Sequence, residues 1–321
     1  MPEEPDYQDN PQLANWNSLE RNRAVFTGDV REELEYEMVR FGKTGYSGGP
    51  KVAILGGFKY ATAGGHNRPF NFTSLFTWTS KMSCPSFSIP AGPTESGGTC
   101  LAAKVSSIEK EGTYVEHSKP FSQMPTGQKP ICDLCYAGKG RYLMYKSMSL
   151  GQVAKLAWVR KTLRSGTFVR RMAEAISSLH DEKIEETLAR KLVSNKYFRI
   201  HDSGDFFSPE YYKAWVEVCY AVPSVKFWAP TRLWVYQKYR DLFENYPPPA
   251  NLTLRPSALF TGAEAPRIRG LAGGSTSVDG RMPDPVWNCP AYEGDEEKSC
   301  AAAGCRMCWT GQKKAVNYLT H

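Results

Sequence analysis

Two apolar stripes at helical spacing begin near Leu150. Val153, Leu156, Ala157 and Leu163 form the first, and Phe168, Met172, Ala175, Ile176 and Leu179 form the second. Downstream the pattern alternates between short apolar runs and longer amphipathic ones. Tyr197-Phe-Arg-Ile200, Val225-Lys-Phe-Trp-Ala229 and Asn251-Leu-Thr-Leu-Arg255 read as strands. Between them, Ser208-Pro-Glu opens a helix to about Ala221, with Ser as N-cap and Pro in the first turn. Leu233 to Asn245 is a second helix, ended by Pro247-Pro-Pro249. Strand–helix–strand–helix–strand with short connections predicts a parallel α/β sheet.

The first third is less regular. Residues 1–50 read as an acidic N-terminal arm, with ten acids and four bases in residues 1–40. Val52-Ala-Ile-Leu55 reads as a short buried strand and Phe72 to Trp78 as another. From Ser83 to about Gly140, Gly, Pro and Ser break any periodicity, so this stretch needs a staple other than regular structure. Residues 51–321 then form one α/β domain, barrel-like and incomplete or irregular as a TIM barrel, with Cys-rich segments at 84–135 and 289–308.

Composition narrows the class. The chain is 41% hydrophobic and 23% charged, enough to bury a core. No apolar run reaches the ~18 residues needed to span a bilayer, and the acidic start is unlike a secretory signal. A cytoplasmic setting is expected, so nine cysteines point to metal or redox chemistry rather than disulfides. The net charge of +7 is uneven. Leu134 to Ala173 holds no acid and nine bases: Lys139, Arg141, Lys146, Lys155, Arg160, Lys161, Arg164, Arg170 and Arg171. Such a run suits a polyanion, and nucleic acid is the expected partner, DNA before RNA.

Eight cysteines fall into two groups of four in sequence. One is Cys84, Cys100, Cys132 and Cys135; the other is Cys289, Cys300, Cys305 and Cys308. Each contains a Cys-x-x-Cys pair, which lets two thiolates grip one metal from a tight turn. Four thiolates suit either zinc or an iron–sulfur cluster, at one or two sites. His321 is a substitute ligand for the second group, with His66 and His117 as weaker spares. Cys219 reads as a small core residue.

In parallel α/β folds the chemistry gathers at the C-terminal ends of the strands. The first central strand is followed by His201-Asp-Ser-Gly-Asp205, which offers His201, Asp202 and Asp205 as catalytic candidates with Ser203 beside them. Arg232 follows the next strand and suits a phosphate or carboxylate.

Several segments carry a family resemblance. Lys81-Met-Ser-Cys-Pro-Ser86, Cys132-Asp-Leu-Cys-Tyr-Ala137 with Lys139-Gly-Arg-Tyr142, Phe198-Arg-Ile-His-Asp-Ser-Gly-Asp205, Phe227-Trp-Ala-Pro-Thr-Arg232 and Cys305-Arg-Met-Cys-Trp309 resemble the phage gene product 88 family over about residues 75–321. That likeness implies a phage context rather than an activity. His201-Asp-Ser-Gly-Asp-Phe206 and Pro230-Thr-Arg232 are also similar to segments of guanine transglycosylases acting on tRNA or phage DNA. Their zinc ligands resemble the set Cys300, Cys305, Cys308 and His321. That second likeness implies exchange of guanine for a deazapurine, with Asp202 or Asp205 as nucleophile or base. A flipped base would stack on Phe206, Phe207, Trp228 or Trp234. In this chain Phe227-Trp-Ala stands before Pro230, where the transglycosylases carry their nucleophilic Asp.

Three functions are therefore expected in order. The first is transglycosylase-type modification of nucleic acid, with a purine analogue as second substrate. The second is an iron–sulfur redox or radical enzyme acting on a nucleic acid or nucleotide. The third is a zinc-containing DNA-binding protein without catalysis.

Overall fold

The computed structural model describes residues 75–79, 82–92, 94, 98–103, 130–135, 137, 146–180, 194–292, 299–310 and 315–319. The acidic arm and the strand expected at Val52–Leu55 lie outside these residues. The central sheet has five strands in the order β1-β2-β3-β4-β5: β1 (Thr77–Thr79), β2 (Cys84–Ser88), β3 (Tyr197–Ser203), β4 (Lys226–Thr231) and β5 (Leu252–Pro256). β1 runs antiparallel to β2, and β2 to β5 run parallel. The three central strands read from sequence are thus β3, β4 and β5. Only the end of the Phe72–Trp78 run is described as strand.

Among the described residues four helices accompany the sheet: α1 (Lys146–Arg164), α2 (Phe168–Ser177), α3 (Pro209–Ala221) and α4 (Gln237–Asn245). The two apolar stripes become two helices because the chain turns at Gly166, which adopts φ +72°. The Ser208 hydroxyl accepts from the Tyr211 amide at 3.2 Å, the cap expected from Ser-Pro-Glu. Leu233 to Asn245 is not one helix. Leu233–Val235 forms a short 3-10 turn, and Tyr236 is extended before α4 begins.

The helical face of the sheet holds an aromatic core centred on Trp215 of α3. Its ring lies 5.7 Å from both Phe87 and Phe168 and 6.1 Å from Phe198. The other face is covered by different material. Trp309 donates its indole N–H to the Phe198 carbonyl at 3.0 Å and packs 5.3 Å from Trp228. Beside it lies a second sheet, wholly parallel, in the order β6-β8-β7: β6 (Ser275–Val278), β8 (Val316–Leu319) and β7 (Trp287–Asn288).

The expected barrel is not closed among the described residues. The central sheet ends in an antiparallel strand on one side, and a bridge from Ser257 to Ser275 carries it toward the second sheet on the other. Too few parallel strands are present to curl round on themselves. No described helix is long and apolar enough to cross a membrane.

Trp215 fills the contact between helix layer and sheet, so its removal leaves a large void. Trp215→Ala is expected to lower stability by about 3–5 kcal/mol in urea unfolding. An unchanged midpoint would show that this ring is not the hub.

Candidate functional site

The register between β2 and β3 decides where the first polar cluster points. Pairing jumps from Phe87–Ile200 to Ser88–Ser203, so His201 and Asp202 have no partner in β2. At this bulge His201 adopts φ +62° and swings into the aromatic core. Its ring sits 4.7 Å from Phe206, and Nε2 shares a 3.0 Å hydrogen bond with the Tyr211 hydroxyl. Burial, with help from Arg199, depresses its pKa to about 3, so the ring stays neutral. His201 is therefore directed away from the strand end where it was expected to act. Ser203 is also structural: its hydroxyl donates to the Ile89 carbonyl at 3.0 Å. Asp202 is buried and accepts from the Thr77 hydroxyl at 3.2 Å.

Asp205 ties two strand ends together. One carboxylate oxygen accepts the Phe206 amide at 2.8 Å, and the other accepts the Arg232 amide at 3.1 Å. Burial raises its pKa to about 6, against the pull of the Arg232 and Phe206 amides. Its own amide donates to the Thr99 hydroxyl at 3.3 Å. Gly204 makes this approach possible. It adopts φ +90°, and a Cβ there would lie 2.5 Å from Ile89 Cγ1 and 2.7 Å from Thr99 Oγ1.

These contacts bring three thiols to the same edge. Cys100 follows Thr99, and its amide donates to the Gly92 carbonyl at 3.0 Å. Cys132 and Cys135 sit on a 3-10 turn at Ile131–Leu134, closed by a 3.2 Å bond from the Cys135 amide to the Cys132 carbonyl. That turn is pinned by the Ile131 amide, which donates to the Leu259 carbonyl at 2.8 Å. The neighbouring Ala258 carbonyl accepts Arg232 Nε at 3.1 Å. Electrostatics agree with this placement. Burial pushes the Cys100 thiol up, and Asp205, Cys132 and Cys135 add to the shift. Burial pulls Arg232 down, but Cys132, Cys135, Asp205 and Cys100 together outweigh it and raise its pKa.

Cys84 does not join this set. It is a β2 residue on the face away from the helices, packed with Met82, Trp228, Cys308 and Trp309. The other four thiols lie near one another. Cys289, Cys300, Cys305 and Cys308 line one pocket of about 10 Å³ with Trp287 and Trp309. Among the described residues, no three Cys, His, Asp or Glu side chains already converge tightly enough to share an ion. Cys219 is buried in α3, as expected of a core thiol. His321, His66 and His117 lie outside the described residues.

The basic run divides. Lys139 and Arg141 lie outside the described residues, and nothing is described of the Lys146 side chain. Arg171 is buried over Trp158, and Arg170 pairs with Glu174 at 3.5 Å. Arg164 is exposed, and Arg160 and Lys161 are half-buried. Arg160 stacks 5.7 Å over Phe207, just past Asp205, so the later turns of α1 reach the strand-end side.

Of the aromatics expected to stack on a base, Phe206, Trp228 and Trp234 are buried. Trp234 is also fixed by a 2.8 Å bond to the Ser257 carbonyl. Phe206 and Trp234 belong to the core on the helical side, and Trp228, within β4, packs on the other face against Trp309. Phe207 is half-buried against Tyr211.

One residue acquires an unexpected setting. Lys155, one of the nine bases of the acid-free run, is buried with Nζ 3.4 Å from the Ser88 hydroxyl. Burial lowers its pKa to about 8, partly offset by Asp202. An acid-free sequence run holds no signal that one of its lysines turns inward.

A mostly parallel α/β sheet, not closed among the described residues, with thiols at its strand ends and a second thiol set on the face where Trp309 packs defines the class of protein. The chain belongs to the Gene product 88 family, whose model matches residues 59–277. It is 34% identical over 118 residues to the Gene 88 protein of Mycobacterium phage L5, covering 34% of this chain and 46% of that protein. It is 30% identical over 138 residues to the Gene 88 protein of Mycobacterium phage D29, covering 39% and 56%. The chain thus spans about half the length of the curated relatives it matches. No solved structure matches.

Two outcomes follow from this geometry. Gly204→Ala is expected to cost at least about 2 kcal/mol, from its left-handed backbone and the clash with Ile89 and Thr99. Stability unchanged in thermal melts would refute the tight approach. For Lys155 the folded pKa lies below the unfolded one, so protonation disfavours the fold. Relative to Lys155→Met, the wild-type chain should gain about 3 kcal/mol as pH rises from about 8 to about 10.5, and lose it as pH falls back. A flat difference across that window in urea titrations would place Lys155 in water.

Proposed function

We propose that this protein is an iron–sulfur oxidoreductase acting on a nucleotide or nucleic acid at the C-terminal edge of the central sheet. Cys100, Cys132 and Cys135 would hold the cluster. The observation that supports this reading is the anchoring of two separate thiol-bearing segments beside Asp205 and Arg232. Thr99 fastens the Cys100 segment to Asp205, and Leu259 fastens the Cys132 turn next to the carbonyl that holds Arg232. The donor set is chemically suitable, since thiolates are the usual ligands of such clusters, and three of them leave one position open. When bound, the cluster supplies one-electron transfer.

The chain's own groups have distinct roles in this reading. Arg232 offers a planar cation beside the thiols for a phosphate or carboxylate. Arg160 and Lys161 extend that positive surface along α1. Asp205 holds Arg232 by its backbone, so its carboxylate positions rather than attacks.

Base exchange of the transglycosylase type is the second reading. Both Asp205 oxygens already accept amide hydrogens, so the attack would fall to Asp202, which is buried at the end of β3.

Anaerobic purification tests the choice. The expected result is brown protein with broad visible absorption and bound iron. Cys132→Ala should lose both colour and iron, while Cys219→Ala keeps them. Colourless protein without iron would sink the redox reading. If that colourless protein exchanged labelled guanine in DNA, and Asp202→Asn abolished the exchange, the second reading would replace it.

A further inference from the structure

The second thiol set differs from the first in kind. It holds four cysteines instead of three, it lies on the face where Trp309 packs instead of the strand ends, and all four line a single pocket. Local folding explains how they meet. The Ser299 hydroxyl accepts the Ala302 amide at 3.0 Å, and the Ser299 carbonyl accepts the Ala303 amide at 2.9 Å. This turn ends at Gly304, with φ +59°, and the Cys305 amide bonds the Cys300 carbonyl at 2.9 Å. Cys300 and Cys305 are thereby folded back on one another. Cys308 follows on the 3-10 turn Met307–Trp309. Cys289 arrives from β7, where its amide donates to the Asn317 carbonyl at 2.9 Å.

We infer that Cys289, Cys300, Cys305 and Cys308 form a closed, structural zinc site that clamps the second sheet and the Trp309 turn onto the open face of the central sheet. Three observations carry this. The ligand count is the full tetrahedral complement, which leaves no position for substrate. The four thiols surround a small space of about 10 Å³, the order of volume that one bound ion or water takes. The surroundings also suit the charge. A divalent ion on four thiolates is a dianion, and a buried dianion needs compensation. Arg306 donates to the Cys305 carbonyl at 2.8 Å. Arg255 is buried and donates to the Met307 carbonyl at 3.3 Å, within the turn that carries Cys308.

Cys84 stands outside this set although it packs nearby. It is a wall residue of the clamp, and the four later thiols complete the site without it. This site is independent of the proposed redox centre, because the two share no ligand.

The test uses the full chain. Protein stripped with chelator is reloaded with zinc alone, and each cysteine's alkylation rate is followed by peptide mass mapping. With free zinc at a hundred times its Kd, the unliganded fraction falls about 100-fold, so alkylation at Cys289, Cys300, Cys305 and Cys308 should slow by about that factor. Cobalt(II) in place of zinc should give the intense absorption of a tetrahedral thiolate site. Equal rates with and without zinc would overturn the proposal, as would protection falling on Cys100, Cys132 and Cys135 instead. Cys305→Ser should lose zinc while keeping any iron, and Cys132→Ala the reverse, so failure of one site is told from failure of the other. If Cys305→Ser does not fold, the protection pattern of the wild-type chain still decides.

Discussion

Two backbone amides from different strand ends share one buried carboxylate, that of Asp205. The β3–β4 pairs end at Arg199–Trp228, so beyond them this carboxylate, and not the ladder between the two strands, ties their ends together. A charged acceptor with two N–H donors is among the stronger hydrogen-bonded arrangements, and it offsets the cost of burying the charge. Everything at the candidate site hangs on that staple. It fixes Arg232, it seats Phe206 in the core, and through Thr99 it fastens the loop that brings Cys100 to the edge. Gly204 is the steric condition for the staple, because a side chain there would push Thr99 away.

The two thiol sets then divide the molecule's needs. The strand ends bring three thiols, Cys100, Cys132 and Cys135, beside the Arg232 cation. On the face where Trp309 packs, four thiols line one pocket near the Arg255 and Arg306 guanidiniums. A parallel sheet is ordinarily covered on both faces by helices. Among the described residues helices cover one face, and a thiol-rich turn and a small second sheet lie on the other.

Much of the central architecture was legible in the chain. Strands β3, β4 and β5 and helix α3 follow from apolar runs and from the Ser208 cap. The reading that polar residues follow the central strands agrees with Asp205 standing just past β3 and Arg232 just past β4. What was illegible has physical reasons. β2 reads Cys-Pro-Ser-Phe-Ser, too short and polar to signal a strand, and it is stabilised by neighbours on both sides rather than by propensity. The grouping of Cys84 followed sequence proximity, whereas space puts it beside Cys308. The direction of His201 depends on a bulge, and a slip in pairing reverses a side chain's face without any trace in composition. Lys155 turns inward because Ser88 and Asp202 lie across from it, which no local pattern encodes.

Trp309 seals a surface built from residues that precede it by about a hundred positions; its bond to Phe198 spans 111. During synthesis the central strands therefore emerge well before their cover does. Until residues 299–310 leave the ribosome, Tyr197, Arg199 and Trp228 face water on one side of a sheet whose other side already has helices to pack against. The nascent chain thus passes through a stage with one finished face and one sticky face. The guanidinium of Arg199, 4.6 Å over Trp228, gives that waiting surface a charge that discourages neighbouring chains from docking there.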